Sequence, residues 1–158
     1  MERVDVEQRA EKARRVFLEG YNCAQAVVLA YCDLFDISLS LAASISAPLG
    51  GGMGRLREVC GAVSGMFMVA GLFYKNDVPS DMTKRKIVYS TVQDLAEKSK
   101  ALNGSIICRE LLGLDHKSDS PTPEARTETY YKRRPCADYV ASAARLIGEK
   151  LNEVSEEM

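Results

Sequence analysis

The sequence predicts an all-α protein, a compact orthogonal bundle of about six or seven helices around a central, glycine-rich apolar helix. Three observations predict it. Every long segment repeats its apolar residues at the three-and-four spacing of a helix, and no run of alternating β-branched residues is long enough for a sheet. The stretch from Gly50 to Tyr74 carries a glycine-rich turn into a segment, Val59 to Phe73, without a single charge. A helix apolar on nearly every side has to be covered all round. This one is shorter than the about 20 apolar residues of a membrane span. Arg55, Arg57 and Glu58 precede it and Lys75 follows it. Gly61, Ala62 and Gly65 lie one turn apart on one side, so another backbone is expected close beside Cys60. Without such a neighbour each glycine would cost a helix interior roughly 1 kcal/mol.

The other elements follow in order. Val6, Ala10, Ala13, Val16 and Phe17 form the stripe of an amphipathic helix over 4–19, with Gly20 beyond its end. Asn22 and Gln25 have the spacing of a capping box that opens a second helix running through the apolar residues to Phe35, with Cys23 as its first residue. Ser38 or Ser40 begins a short helix to Ser46, stopped by Pro48 and the three glycines from Gly50 to Gly52. After a turn at 76–79, Ser80 or Asp81 opens a long helix. Ile87, Val88, Val92, Leu95, Ala96, Ser99 and Leu102 share one of its faces, and Asn103-Gly104 ends it. Ser105 is expected to cap a short helix with Cys108 at its third position and Gly113 at its end. From Leu114 to Arg134 the chain reads as a long polar loop with one helical turn. Pro135 then opens a final helix striped by Val140, Ala144, Ile147 and Leu151, with Cys136 as its second residue.

Length and charge bound the function. At 158 residues and 17.4 kDa the chain is read as one domain, residues 1–158, with one core and no linker. A net charge of -1 gives no reason to expect nucleic acid or an anionic membrane as partner. The charged, amphipathic N-terminal stretch lacks the apolar core of a secretory signal, so the expected compartment is the cytoplasm. Apolar residues more numerous than one small bundle needs point to a homodimer. In a reducing compartment five cysteines read as catalytic, redox or metal-binding rather than as structural disulfides. His116 is the single histidine, which excludes multi-histidine metal sites; in its polar loop it reads as solvated, with no identifiable acidic partner. The Gly50 to Gly54 stretch reads as a tight turn, since no strand precedes it and no phosphate-binding fingerprint is present.

The predicted helices place Cys23, Cys108 and Cys136 each in a first turn, and Cys60 near the start of the central helix. A helix N-terminus offers unpaired N–H groups and about half a positive charge, which favours a thiolate. Arg133 and Arg134 beside Cys136, Arg109 beside Cys108, and Arg55 and Arg57 ahead of Cys60 push the same way. These four cysteines are expected to converge, with thiolates populated at neutral pH at Cys108 and Cys136. Cys32 falls on the opposite face of its helix and is read as a protonated core residue.

Tyr21-Asn22-Cys23-Ala24-Gln25-Ala26, the three glycines from Gly50, Cys60-Gly61-Ala62-Val63-Ser64-Gly65 with Gly71-Leu72, then Cys108, and Cys136 with Tyr139-Val140 resemble the C_GCAxxG_C_C family over roughly 11–147. The resemblance implies a redox role for Cys23, Cys60, Cys108 and Cys136, and a distant similarity to the non-haem region of split-Soret cytochromes c, for which an iron–sulfur cluster has been suggested. The chain has no C-x-x-C-H, so covalent haem is not expected. Three functions stay open: thiol–disulfide exchange with a redox partner protein or a small thiol or disulfide, a four-cysteine metal site for zinc or an iron–sulfur cluster, and a partner-binding helical module with incidental cysteines. The absence of any C-x-x-C pair weighs against the second.

Overall fold

A computed structural model describes residues 1–158 and is all-α. Its helices are α1 (Val6–Leu18), α2 (Cys23–Leu29), α3 (Leu39–Ser46), a single turn α4 (Gly50–Met53), α5 (Gly61–Tyr74), α6 (Met82–Asn103), α7 (Cys108–Leu111), α8 (Glu128–Arg133) and α9 (Cys136–Glu157). Short 3-10 turns cover Cys32–Leu34 and Ala47–Leu49. The central apolar helix is α5, which packs against α2, α6 and α9, while α1 packs along α9. Burial runs from Gly61 through Met66 and resumes at Val69 and Ala70, as an uncharged helix demands.

Local chemistry sets most boundaries. The Asn22–Gln25 capping box forms in both directions and opens α2 at Cys23. Ser38, Asp81 and Thr127 cap α3, α6 and α8 through their side chains. Ala10, Ala13, Val16 and Phe17 of α1, and Val140, Ala144, Ile147 and Leu151 of α9, are buried as their spacing predicts.

Three expectations are corrected. The second helix does not reach Phe35; it ends at Leu29, because Arg9 of α1 takes the Ala30 carbonyl (2.8 Å) and the Tyr31 ring turns into the core to donate its hydroxyl to the Ala144 carbonyl (2.7 Å). Cys32 therefore opens a 3-10 turn instead of lying within a helix, although it is buried as expected. The core face of α6 is Thr91, Leu95 and Ser99, a narrow line one turn apart, whereas Ile87 and Leu102 are exposed at 44% and 65%. Its main packing partners are α5 and α9, which bury that line and leave Val88, Val92 and Ala96 half-buried beside it.

Candidate functional site

Cys23, Cys60, Cys108 and Cys136 reach the site from four separate segments. Cys23, Cys108 and Cys136 are the first residues of α2, α7 and α9, and Cys60 is the N-cap of α5. Two of these placements differ by a residue or two from the expectation. Ile107, not Ser105, is the N-cap of α7, because the Ser105 hydroxyl accepts from the Ile107 N–H just upstream (2.9 Å). Pro135 is itself the cap of α9.

An antiparallel bridge between Val59 and Ile107 fastens the central helix to α7. The Cys60 N–H donates to the Ile106 carbonyl (2.8 Å), the Cys108 N–H to Glu58 (2.6 Å) and the Arg109 N–H to Arg57 (3.2 Å). The alternation of side chains along paired segments puts Cys60 and Cys108 on the same face. Too short to show as a strand pattern, this pairing escaped the sequence.

The glycine-rich stretch is a left-handed turn. Gly51, Gly52, Met53, Gly54 and Arg55 are consecutive residues with φ between 61° and 70°, and Arg57 follows at 59°. Such backbone costs a non-glycine residue roughly 1–2 kcal/mol. It is held by bonds from the Arg57 and Glu58 N–H groups to the Gly51 and Gly52 carbonyls (3.2 and 3.0 Å). Only glycine fits at 52, since a Cβ there would stand 2.7 Å from the Cβ of Cys108. Gly61 meets the close neighbour the sequence called for: a Cβ on it would overlap the Cys23 sulfur and lie 2.9 Å from the Leu49 carbonyl oxygen.

The four cysteines line one cavity of about 70 Å³, with Arg57, Arg126, Tyr130 and Tyr139 in its wall. Cys32 is not among the lining residues and its sulfur lies 3.6 Å from the Leu29 carbonyl. All five cysteines are free thiols.

The electrostatics reverse one expectation. Burial pushes the Cys136 thiol from 9.0 up to about 12, with the charges of Cys23 and Cys108 adding to it and Arg134 and Arg57 opposing. Burial raises Cys60 further still; Cys23 adds to this, and the Val63 and Ala62 N–H groups at the start of α5 oppose it. Cys108 is raised by burial against a hydrogen bond and the charge of Arg57. The N-terminal and arginine effects are thus present but smaller than desolvation, which penalises the charged form. In this closed arrangement Cys60, Cys108 and Cys136 are held as thiols, not as thiolates at neutral pH. Cys32 is raised as well, by burial first. Cys23 perturbs each of the other three and is their common neighbour.

Arg57 is the cavity residue least legible in the sequence. Its side chain is buried; Nη1 lies 3.6 Å from the Cys108 sulfur, and Nε donates to Asp119 Oδ2 at 2.8 Å. The other Asp119 oxygen meets His116 Nε2 at 2.8 Å, and His116 Nδ1 meets Asp115 at 2.9 Å. His116 therefore does have acidic partners, contrary to expectation. They come from its own polar loop, where no periodicity reports what folds back, and they raise its pKa. The result is a chain of contacts from the exposed His116 through Asp119 and Arg57 to the Cys108 sulfur.

As arranged, the thiols do not make a metal donor set: no group of three or more His, Cys, Asp or Glu side chains is disposed to hold an ion. No helix is long and apolar enough to cross a membrane.

An all-α bundle with four thiols gathered from four segments around one cavity defines a helical cysteine-cluster protein. A family model described as "Putative redox-active protein (C_GCAxxG_C_C)" matches residues 21–150, and the chain belongs to that family. No curated protein and no solved structure matches it.

Proposed function

We propose that the protein performs thiol–disulfide exchange through Cys23, Cys60, Cys108 and Cys136. The observation that carries this reading is the gathering of these four thiols, and not Cys32, around one cavity. Cys108 is the attacking group, because it alone of the four has a guanidinium, Arg57, within hydrogen-bonding reach of its sulfur to hold the thiolate. Its sulfur attacks one sulfur of a disulfide R–S–S–R, the S–S bond breaks, and R–S⁻ leaves with the electron pair and is protonated by solvent. A second cavity thiol, for which Cys23 is placed as common neighbour, attacks the mixed disulfide and releases the second R–SH. The protein loses two electrons and two protons, and the substrate gains them.

The raised thiols make the resting site slow to ionise, so reaction at neutral pH runs through the fraction in which Cys108 is deprotonated against Arg57. A reducing cytoplasm suits five free thiols. The exposed Leu39, Leu41 and Ile45 along α3 support a homodimer. The reduced protein, treated with the uncharged bis(2-hydroxyethyl) disulfide and mapped by mass spectrometry, should form a disulfide among the four cavity cysteines while Cys32 stays reduced. Cys23→Ser should instead trap the mixed disulfide on Cys108. Oxidation that begins only on unfolding would refute the reading, and stoichiometric zinc or iron shielding the four thiols would replace it with the four-cysteine metal site.

A further inference from the structure

Beside the cysteine cavity lies a second, larger recess of about 370 Å³, whose wall shares Arg57, Arg126, Tyr130 and Cys136, among others, with it. Four arginines line it, Arg55, Arg57, Arg126 and Arg134, against one carboxylate, Glu124. Two of them are neutralised: Arg57 by Asp119 at 2.8 Å and Arg134 by Glu124 at 2.6 Å. Arg55 and Arg126 have no carboxylate partner. Arg55 is tied by Nε to the Ser120 carbonyl at 2.6 Å. Arg126 is held by the Phe17 and Tyr21 carbonyls (3.1 and 3.0 Å) and sits 4.3 Å above the centre of the Phe17 ring. Both guanidiniums are thus held by neutral groups and form no ion pair; Glu124 feels Arg55 only after Arg134 and Arg133, so the four arginines leave a net positive charge in a concave wall where field lines converge.

The two spaces divide a substrate between them. The inner one admits only a few atoms, whereas the outer one falls in the range of small-ligand sites. A thin reactive group fits the first, and a polar, negatively charged body fits the second. Guanidinium pairs with carboxylate through parallel N–H donors, which gives orientation as well as attraction.

Resting on the thiol–disulfide reading above, we propose that this arginine recess binds the carboxylates of a small anionic disulfide, seating its S–S bond at the mouth of the cysteine cavity. The Cys108 sulfur attacks that bond, one carboxylate-bearing thiolate leaves and takes a proton from solvent, and the second cavity thiol releases the other. The small disulfide is reduced to two thiols while two protein thiols become one disulfide.

The test uses the reduced full-length protein and three disulfides: oxidised glutathione (anionic), bis(2-hydroxyethyl) disulfide (neutral) and cystamine (cationic). Each oxidation rate is divided by the rate of the same disulfide with N-acetylcysteinamide, which removes intrinsic differences in reactivity. The normalised rate should be about tenfold or more higher for oxidised glutathione than for cystamine at low salt. The preference should shrink towards unity in about 1 M salt, where the screening length is roughly 3 Å. Arg55→Gln and Arg126→Gln should each lower the anionic-to-cationic ratio, and the wild-type comparison decides the matter even if Arg126→Gln fails to fold. Oxidation of the cavity thiols at equal normalised rates by all three would overturn the recess assignment and leave the redox reading standing. Failure of every disulfide to oxidise the folded protein would overturn both.

Discussion

Replacing Gly65 by alanine tests whether the central helix is placed by a backbone-to-backbone approach. A Cβ on Gly65 would stand 2.7 Å from the Ala24 carbonyl oxygen, 3.1 Å from Val27 Cβ and 3.3 Å from Ala24 Cα. The first of these is backbone at the start of α2, which its capping box and the packing of Ala24 hold in place, so the strain cannot be relieved by a rotamer change. Overpacking of this kind costs about 1–3 kcal/mol, against a helix-propensity gain of up to about 1 kcal/mol. Because the clash is with backbone, the cost falls in the upper part of that range, about 2–3 kcal/mol, and after the propensity gain the net loss is about 1–2 kcal/mol, or a Tm lower by about 2–8 °C for a chain this long. Gly71 on the same helix is the control, because a Cβ there meets nothing within 4 Å and only the propensity gain remains. Gly71→Ala should raise Tm by up to about 2–4 °C. Thermal unfolding followed by circular dichroism at 222 nm reads both. A Gly65→Ala variant as stable as the wild type would refute the close approach of α2 and α5, and with it the seat of Cys23 beside Gly61.

Two further outcomes follow from buried groups. Tyr31→Phe removes the hydrogen bond to the Ala144 carbonyl at 2.7 Å that ties the end of α2 to α9; it should cost about 1 kcal/mol and lower Tm by about 2–4 °C in the same melt. The raised thiols make stability fall at alkaline pH. Above the ordinary value of 9.0 an unfolded Cys136 releases its proton while the native one holds it to about 12, so the native state binds more protons and stability declines with rising pH across that window. The contribution is complete below about pH 9. Urea midpoints at pH 8, 9.5 and 11 should fall more steeply for the wild type than for Cys136→Ala, and parallel slopes would contradict the assignment.

Features set by neighbouring residues were readable along the chain. Apolar spacing marked the buried stripes of α1 and α9, side chains that bond the next turn marked the starts of α2, α3 and α6, and the uncharged run at 59–73 marked the helix that the others enclose. Gly61 and Gly65 announced a close neighbour, and the four site cysteines were recognisable because three of them begin helices. Long-range packing set the rest. It ended α2 at Leu29 by giving the Ala30 carbonyl to Arg9, and it narrowed the fully buried face of α6 to Thr91, Leu95 and Ser99. It brought Asp119, in a loop without periodicity, to Arg57, and so set Arg57 beside the Cys108 sulfur. It also reversed the expected ionisation of the thiols. A helix N-terminus and a nearby arginine can be read from sequence and both favour a thiolate, but desolvation depends on how completely the other segments close over the sulfur. That closure comes from residues far apart in the chain, and at Cys60, Cys108 and Cys136 it outweighs the local field.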